Sequence, residues 1–468
     1  MKQVDRSWLA VVVAALVVLS ACGGPAAAPP TASPTTPPTA VVTAEVTAAP
    51  VTVRIQGTGG GTEATLSPLG EKFESTHPNI RLEPLDWYWK SQEFAADLAA
   101  GRVPDTITAP ATEGDLMIGQ GYVADITDWL ADYPVSRDLN PAIMKPFMRN
   151  GRYYGVPSSL YVMALFYDKT LFRQAGLVDA TGEPVPPKTW EEFATAAQTI
   201  KQKTGTPGFC ALTLYNQGGW TFLNWGWQAG AEFERQSSEK WKAAFDEPQA
   251  VQALQFIKDL RWKYDALQPD VKLDANKSFE MMGKHQCGMA MVAPDWLGQS
   301  LAQPGSTLKL EDIGLTTLPA GPAGRASVLG AGFNTINAHA PPEVQRAALE
   351  WGMWSAFDPA SLEIGLAELG NGAPFGFMTR SLMFRPNSPT VQKERALLAK
   401  FRDFPYYKTY LEEAAQDARP EPPIATQEMY AALDKAILAV LEDKNADPQT
   451  VLTQAAKEFQ AQYLDTRK

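Results

Sequence analysis

Residues 160–167 read Leu-Tyr-Val-Met-Ala-Leu-Phe-Tyr, an apolar and aromatic run without a break. Its length suits a strand, and Val162 with the aromatics favours strand over helix. A strand with no polar face needs cover on both sides, as in a sheet packed between helices. The run is framed by punctuation. Asn150-Gly151 is a turn signal ahead of it, and Gly155 and Pro157 precede Ser158 and Ser159. Behind it, Asp168 stands where an N-cap belongs, before Lys-Thr-Leu-Phe-Arg-Gln-Ala, and Gly176 is placed to end that short helix. The local reading is a buried strand that enters a helix.

A chain of 468 residues has material for two or more domains with sizeable cores. Acids outnumber bases by 52 to 41, a net charge of −11, which argues against a nucleic-acid binder with its basic face. The same excess weighs against a strongly anionic ligand. The 3 histidines, His77, His285 and His339, have no metal-pair spacing, so neither a metal nor a cofactor is expected. At the start, Lys2 and Arg6 precede an apolar stretch, Trp8 to Leu19, that is too short to span a membrane as a mature helix. It ends Leu-Ser-Ala-Cys-Gly, which is similar to a bacterial lipobox with Cys22 as the lipidated residue. Residues 1–21 are then a lipoprotein signal peptide. Residues 22–50, rich in Ala, Pro and Thr, form a tether that holds a folded body off the membrane. Cys210 and Cys287 remain as an even pair in an oxidising compartment, each on an expected strand. A disulfide and two reduced buried thiols are both open readings.

The body opens with Val-Thr-Val-Arg-Ile-Gln, residues 51–56, alternating as a first strand, and a glycine-rich loop at 59–61. That loop has neither the GxGxxG frame nor the GxxxxGK lysine of a nucleotide site. It is read instead as bringing Thr58 or Glu63 to a cleft. A second strand is expected over 77–87, with Trp87 at its end, and a third after Pro104-Asp105. Strands alternating with helices imply an α/β fold with a mostly parallel sheet, whose ligands gather at the strand ends. Thr189 and Glu192 make a capping box for a helix striped by Phe193, Ala196, Ala197 and Ile200, with Trp190 structural beside it.

Several of these stretches share an order. Gly-Val-Pro, the apolar strand, Tyr-Asp-Lys and an Ala-Gly helix end are followed by Pro-Lys-Thr-Trp-Glu-Glu-Phe. Gly-Lys-His-Gln-Cys-Gly-Met, Pro-Asp-Trp and Leu-Pro-Ala-Gly-Pro come next, then a glycine-containing return strand. The order resembles that of the extracellular solute-binding proteins of ABC sugar importers, the family of maltose-binding protein, across most of the chain beyond residue 51. The resemblance implies two lobes joined by crossing strands: residues 51–162 with 331–375, and 163–330 with 376–468. A third crossing is expected in the glycine-containing stretch 370–382. It also implies capture of a sugar between the lobes and delivery to a membrane permease by a lipid-anchored monomer, without catalysis. Asp168, where the family more often has asparagine, and Asp295, where it has glycine, are departures that bear on the ligand.

Sugar rings have apolar C–H faces and a rim of hydroxyls, so an aromatic plane beside polar groups suits them. Trp220, at a strand end after two glycines, is the tryptophan expected in the cleft, with Asn224 beside it; Trp225 and Trp227 are expected to pack. Asp295 and Trp296 close a strand and are candidates by position. Gly330 and Gly332 let backbone approach ligand or hinge. Glu113, Tyr161, Arg380 and Tyr430 complete the candidate set. A surface hydrolase or lyase acting on polysaccharide would share the signal, tether and tryptophans, but neither GxSxG nor HExxH occurs. The same fold holding a polyamine or another polar solute, or reporting to a sensor, is the other alternative.

Overall fold

The computed structural model describes residues 50–56, 66–87, 93–237, 240–368, 380–398, 410, 413–414 and 416–466. Cys22, the expected signal and tether, Thr58, Glu63 and the stretch 369–379 lie outside these residues. Among the described residues no helix is long and apolar enough to cross a membrane, and no cluster of metal-ligating side chains occurs.

The chain folds as a two-lobe α/β protein. In the first lobe, strand β1 (Val51–Gln56) pairs in parallel with β2 (Ile80–Leu85). Its alternation is that of a half-covered strand: Val53 and Ile55 are buried, while Arg54 points out to an ion pair with Asp105 at 2.9 Å. That pair and the Asp105 N–H donated to the Arg54 carbonyl dock the start of β3 (Thr106–Pro110) beside β1. The Pro-Asp dipeptide is therefore an anchor for the strand that follows it.

The apolar run is two strands, not one. β4 (Val156–Val162) ends at Met163, and β5 (Ala164–Asp168) continues in a different sheet. There β5 lies between β6 (Met289–Val292) and β7 (Ile313–Thr316), antiparallel to both. All five of its residues are buried: the apolar Ala164–Tyr167 as a strand without a polar face demands, and Asp168 with its carboxylate held by the Leu171 N–H and the His285 ring. The return strand β8 (Ser327–Ile336) runs antiparallel to both β4 and β3. A short strand, β9 (Ala418–Pro420), joins the other end of β8 in parallel. The expected mostly parallel sheet is thus corrected: the pairings around the crossings are mainly antiparallel, because β8 re-enters the sheet against the direction of β4. Strand β9 is a further strand at the hinge, and most of the stretch 370–382, where a third crossing is expected, lies outside the described residues.

The caps follow the sequence closely. In α1 (Lys169–Ala175) Asp168 Oδ1 accepts from the Leu171 N–H at 3.0 Å, and Gly176 closes the helix at φ 75°. In α2 (Trp190–Thr204) Thr189 Oγ1 accepts from the Glu192 N–H at 3.2 Å. Glu192 reaches back to the N–H of Lys188 at 2.7 Å, one residue before the usual capping-box partner. Trp190 stacks on Phe256 with centroids 4.5 Å apart and gives its indole N–H to Gln228. It is structural, as expected.

Helices α3 (Gln217–Ala229), α4 (Pro248–Trp262), α6 (Thr426–Glu442) and α7 (Pro448–Phe459) pack together in the second-lobe core. Trp225 and Trp227 are buried there, as expected. The first-lobe core gathers Val53, Phe73, Ile80 and Ile336 around α5 (Pro342–Phe357). Met383, Phe384 and Val391 belong to that same core, although they follow the 375/376 boundary drawn from sequence.

Cys210 and Cys287 form a disulfide with Cα atoms 5.9 Å apart. Cys287 leads into β6, but Cys210 lies on an extended segment whose one bridge is Phe209 to Leu267, not on a strand. The Gln268 side chain takes the place of a ladder there, accepting from the Ala211 N–H at 3.1 Å and donating to its carbonyl at 2.8 Å.

Candidate functional site

Tyr161, the penultimate residue of β4, pairs with Gly330 on β8. A Cβ at Gly330 would stand 2.0 Å from Tyr161 Cζ, so the tyrosine ring lies directly over the glycine. The return strand has a glycine here because the ring occupies the space a side chain needs. Tyr161 meets the edge of Trp220 at 5.8 Å, and Trp220 lies 5.1 Å from Trp296 in a tilted arrangement. Phe279 backs Trp296 edge-on at 5.1 Å. Three aromatic side chains from three separate segments therefore form one wall where the crossing strands pass between the lobes.

Trp220 is fixed from behind. The first turn of α3 has no cap of its own, since Asn216 sits at φ 69° and its side chain makes no cap bond. Asp434 of α6 supplies the cap, accepting from the N–H groups of Asn216 and Gly219, each at 2.7 Å. Burial pushes the Asp434 carboxyl up to about 6, and these N–H donors oppose the rise. A Cβ on Gly219 would sit 2.4 Å from the Tyr430 Cα, so α3 and α6 touch backbone to backbone.

Two carboxylates border the rings. Burial pushes Asp295 up to about 6, although water reaches its side chain within the surrounding walls. Glu421, just beyond β9, accepts from the Tyr430 hydroxyl at 2.7 Å and is pushed up to about 7 by burial. Both tyrosines record the same acidic field. Tyr161 rises well above its ordinary value through burial, with Glu421 and Asp295 adding to it; Tyr430 rises through burial and Glu421. Trp220 is 8% exposed and Tyr430 1%, both packed in the second-lobe core with Trp225 and Trp227, so the groups that can meet an uncharged polyhydroxy ligand by stacking and hydrogen bonds are chiefly Tyr161, Trp296, Asp295 and Glu421.

The first lobe approaches through the turn Ala111–Glu113, which contains the buried Glu113. Gln427 of α6 donates to Thr112 Oγ1 at 2.9 Å and accepts from the Asn216 amide at 2.9 Å. One glutamine thus fastens a first-lobe turn to the helix that carries Trp220.

Other candidates have different places. Asn224 is fully buried: its Oδ1 accepts from the Val328 N–H at 2.8 Å, and its amide donates to Met163 Sδ at 3.1 Å and the Thr221 carbonyl at 3.0 Å. The expectation of a ligand contact is corrected to a hinge clamp, because every polar atom of Asn224 faces the β4–β5 break and the return strand. Gly332 likewise serves the hinge: its N–H donates to Ser159 Oγ at 3.2 Å, and a Cβ there would crowd that atom at 2.6 Å. Trp87 is half-buried in a first-lobe cluster, with its indole donated to Asp97 at 2.9 Å and its ring edge-on to Phe94. Arg380 opens a short 3-10 turn, Arg380–Met383, and its side chain lies outside the described residues, as do Thr58 and Glu63. Sequence reasoning missed Glu421, Gln427 and Thr112. Glu421 stands in Pro-Glu-Pro-Pro, which carries only a loop signal, and nothing local to Gln427 or Thr112 marks them.

The family model of bacterial extracellular solute-binding proteins matches residues 58–352, more than half of the chain. A binding protein of Brucella abortus is 25% identical over 263 residues, 55% of this chain and 60% of the relative. The mannitol-binding protein of Pseudomonas aeruginosa is 29% identical over 194 residues, 40% of this chain and 42% of that protein. The chain thus spans well under two thirds of the length of these curated relatives. Maltose-bound MalE3 of T. maritima superposes with a TM-score of 0.68 at 22% identity, covering 88% of this chain and 100% of that one. The matched residues take in the aromatic wall, the first-lobe turn and both crossing strands, and the chain belongs to the family of bacterial extracellular solute-binding proteins.

Proposed function

We propose that this protein is the substrate-binding component of an ABC importer, capturing a sugar in the cleft at Tyr161, Trp220 and Trp296 and handing it to a membrane permease. The observation that carries this reading is the aromatic wall with Asp295 and Glu421 at its border, set at the strands that join the lobes. Mannitol binding in one relative and maltose in one structural neighbour support a polyhydroxy ligand. Ligand that touches both lobes favours the closed arrangement by its differential affinity for it.

Candidate ligand contacts are Glu113, Tyr161, Trp220, Asp295, Trp296 and Tyr430, with Thr58, Glu63, Trp87 and Arg380 as further first-lobe or loop candidates. The work is binding, with neither catalysis nor a cofactor, by a monomer that meets no nucleic acid. Cys22 carries the lipid, residues 22–50 form the tether, and the disulfide suits an extracytoplasmic body. The lobes divide as 51–162 with 331–375 and 163–330 with 376–468, except that the Arg380–Val391 region packs with the first.

The test is a thermal-shift screen of the full chain in detergent against mono- and oligosaccharides, polyols and polyamines. Ligand at 100 times its Kd should stabilise the fold by about 2.7 kcal/mol. A saturable rise with one sugar class, the sugar being recovered unchanged, is the expected result. Consumption of the sugar would replace capture with hydrolysis, and a rise with polyamines alone would replace the ligand class.

A further inference from the structure

We propose that the Cys210–Cys287 disulfide is a positioning device for the aromatic wall, setting Trp296 against Trp220 in the folded protein. Its consequence for ligand affinity rests on the sugar-capture reading above; its effect on the two rings does not.

The two cysteines stand at the roots of the two segments that carry those rings. Cys210 precedes Trp220 by ten residues, and Cys287 precedes Trp296 by nine. At the far ends the indoles meet at 5.1 Å. The route from Cys287 is short and stiff. Strand β6 follows it, antiparallel to β5, and the Trp296 N–H then donates to the Ala293 carbonyl at 2.9 Å. The route from Cys210 is held as closely. Gln268 brackets Ala211 on both its backbone groups, and the Thr213 N–H donates to the Leu273 carbonyl at 2.9 Å. The Thr213 hydroxyl donates to the Val271 carbonyl, and Asp434 fastens the start of α3. Neither route has slack, so the relative placement of the rings is set where the routes meet.

At that joint the backbone supplies only part of the connection. The Cys210 N–H donates to the Met289 carbonyl at 3.0 Å, and the Gly288 N–H to the Pro207 carbonyl at 2.9 Å. The segment around Cys210 forms no strand ladder with β6, and its bridge is Phe209 to Leu267. A segment joined by two such bonds can open locally, whereas binding groups need placement within about 0.5 Å. The covalent bond closes that gap. Both cysteines are buried in a cluster with Leu212, Val292 and Leu297, and Trp296 packs between this cluster and the core that holds Trp220. A cross-link that acted only on the unfolded chain would leave the folded wall as it is. One at the joint of both routes acts on the folded geometry as well.

The experiment compares the full chain in detergent, oxidised, with the same chain reduced by a phosphine and with Cys210→Ala plus Cys287→Val. All are held well below their melting points, and far-UV circular dichroism verifies that each is folded. Aromatic circular dichroism without ligand is the first readout. The difference between each form and its Trp296→Phe counterpart isolates the ring pair from the disulfide's own signal. The expected result is that both unlinked forms lose most of this difference while keeping their helix content. Should the double variant fail to fold, the reduced chain carries the comparison. An unchanged difference with only a lower melting point overturns the positioning role and leaves the disulfide a stabiliser of the second lobe. The second readout is titration with maltose, mannitol and the other ligands of the thermal-shift screen. Any sugar that the oxidised chain binds should bind both unlinked forms about tenfold or more weakly; equal affinity likewise overturns the role. If the oxidised chain binds none of them, sugar capture fails, and the spectra alone decide whether the disulfide places the rings.

Discussion

At the scale of single residues, the site depends on what is absent as much as on what is present. Gly330 leaves room for the Tyr161 ring, and a methyl group there would lie 2.0 Å from Cζ. Gly330→Ala must therefore push the ring off the return strand, at about 1–3 kcal/mol for overpacking. The expected outcome is a lower melting point together with weaker ligand binding; binding that survives intact would separate Tyr161 from the cleft. Glu421 gives a pH test with a definite sign. Its carboxyl is pushed up to about 7 in the fold, against about 4.3 in an unfolded chain. The folded state holds the proton more tightly, so this contribution is full below about pH 4, falls as pH rises, and is lost through about pH 7. Glu421→Gln keeps a neutral partner for Tyr430 at every pH. Thermal melts without ligand at pH 5 and pH 8 should show the variant losing less stability between them, by about 2 °C or more; equal losses would count against a raised Glu421. Single residues were also where the sequence was hardest to read. Asn224 and Trp220 have the same local character, and only the return strand, far along the chain, claims Asn224 for the hinge.

At the scale of elements, punctuation was legible because it is local. Asp168 and Thr189 cap the helices they precede, and Gly176 ends one in the left-handed region, all within reach of a few neighbours. The apolar run also declared its burial. Its division at Met163 did not show, because the break is imposed from outside by Asn224 and by the Met163 N–H donated to the Val328 carbonyl at 2.9 Å. The same holds for the short strand that joins β8 in parallel. Ala418–Pro420 is three residues long and ends in proline, so it has no strand signature apart from the Ser327–Leu329 edge it joins. Helix α6 carries a prediction of its own. Its Gln427 joins the first-lobe turn to Asn216, and Gln427→Ala removes both bonds at once. A neutral hydrogen bond contributes about 0.5–1.5 kcal/mol, so closure should weaken and ligand affinity fall by about twofold to tenfold. Small-angle scattering without ligand should show a larger radius of gyration for the variant. An unchanged radius with unchanged affinity would mean that the bond is incidental to closure.

At the scale of the whole molecule, the lobes have separate cores joined through a few extended segments, and this governs how the protein should come apart. The first-lobe core is built on Val53, Phe73 and Ile336, and the second on Phe193, Trp225 and Leu254. Cys210 and Cys287 both lie in a cluster with Ala164, Phe166 and Leu315, on the second-lobe side of the hinge. Their bond closes a loop across a sequence separation of 77. Constraining the unfolded chain over such a loop contributes roughly 4–5 kcal/mol in the chain-entropy treatment, an upper figure because real unfolded chains keep some structure. That stabilisation falls on one lobe. Reduction should therefore lower the second lobe's unfolding temperature and leave the first lobe's own stability where it was. Among the described residues the crossing strands and the Gln427 contact join the lobes, and the two transitions should separate. Differential scanning calorimetry of the full chain, oxidised and then reduced, should show one endotherm split into two. The lower of these should move further down as reductant is raised, and Cys210→Ser with Cys287→Ser should reproduce the split without reductant. Sugar that bridges the lobes should draw the two endotherms back together, since ligand bound across the cleft is lost when either lobe unfolds. A single endotherm that merely shifts on reduction would mean that the lobes unfold as one unit, with the hinge strands too strongly coupled to act as independent crossings.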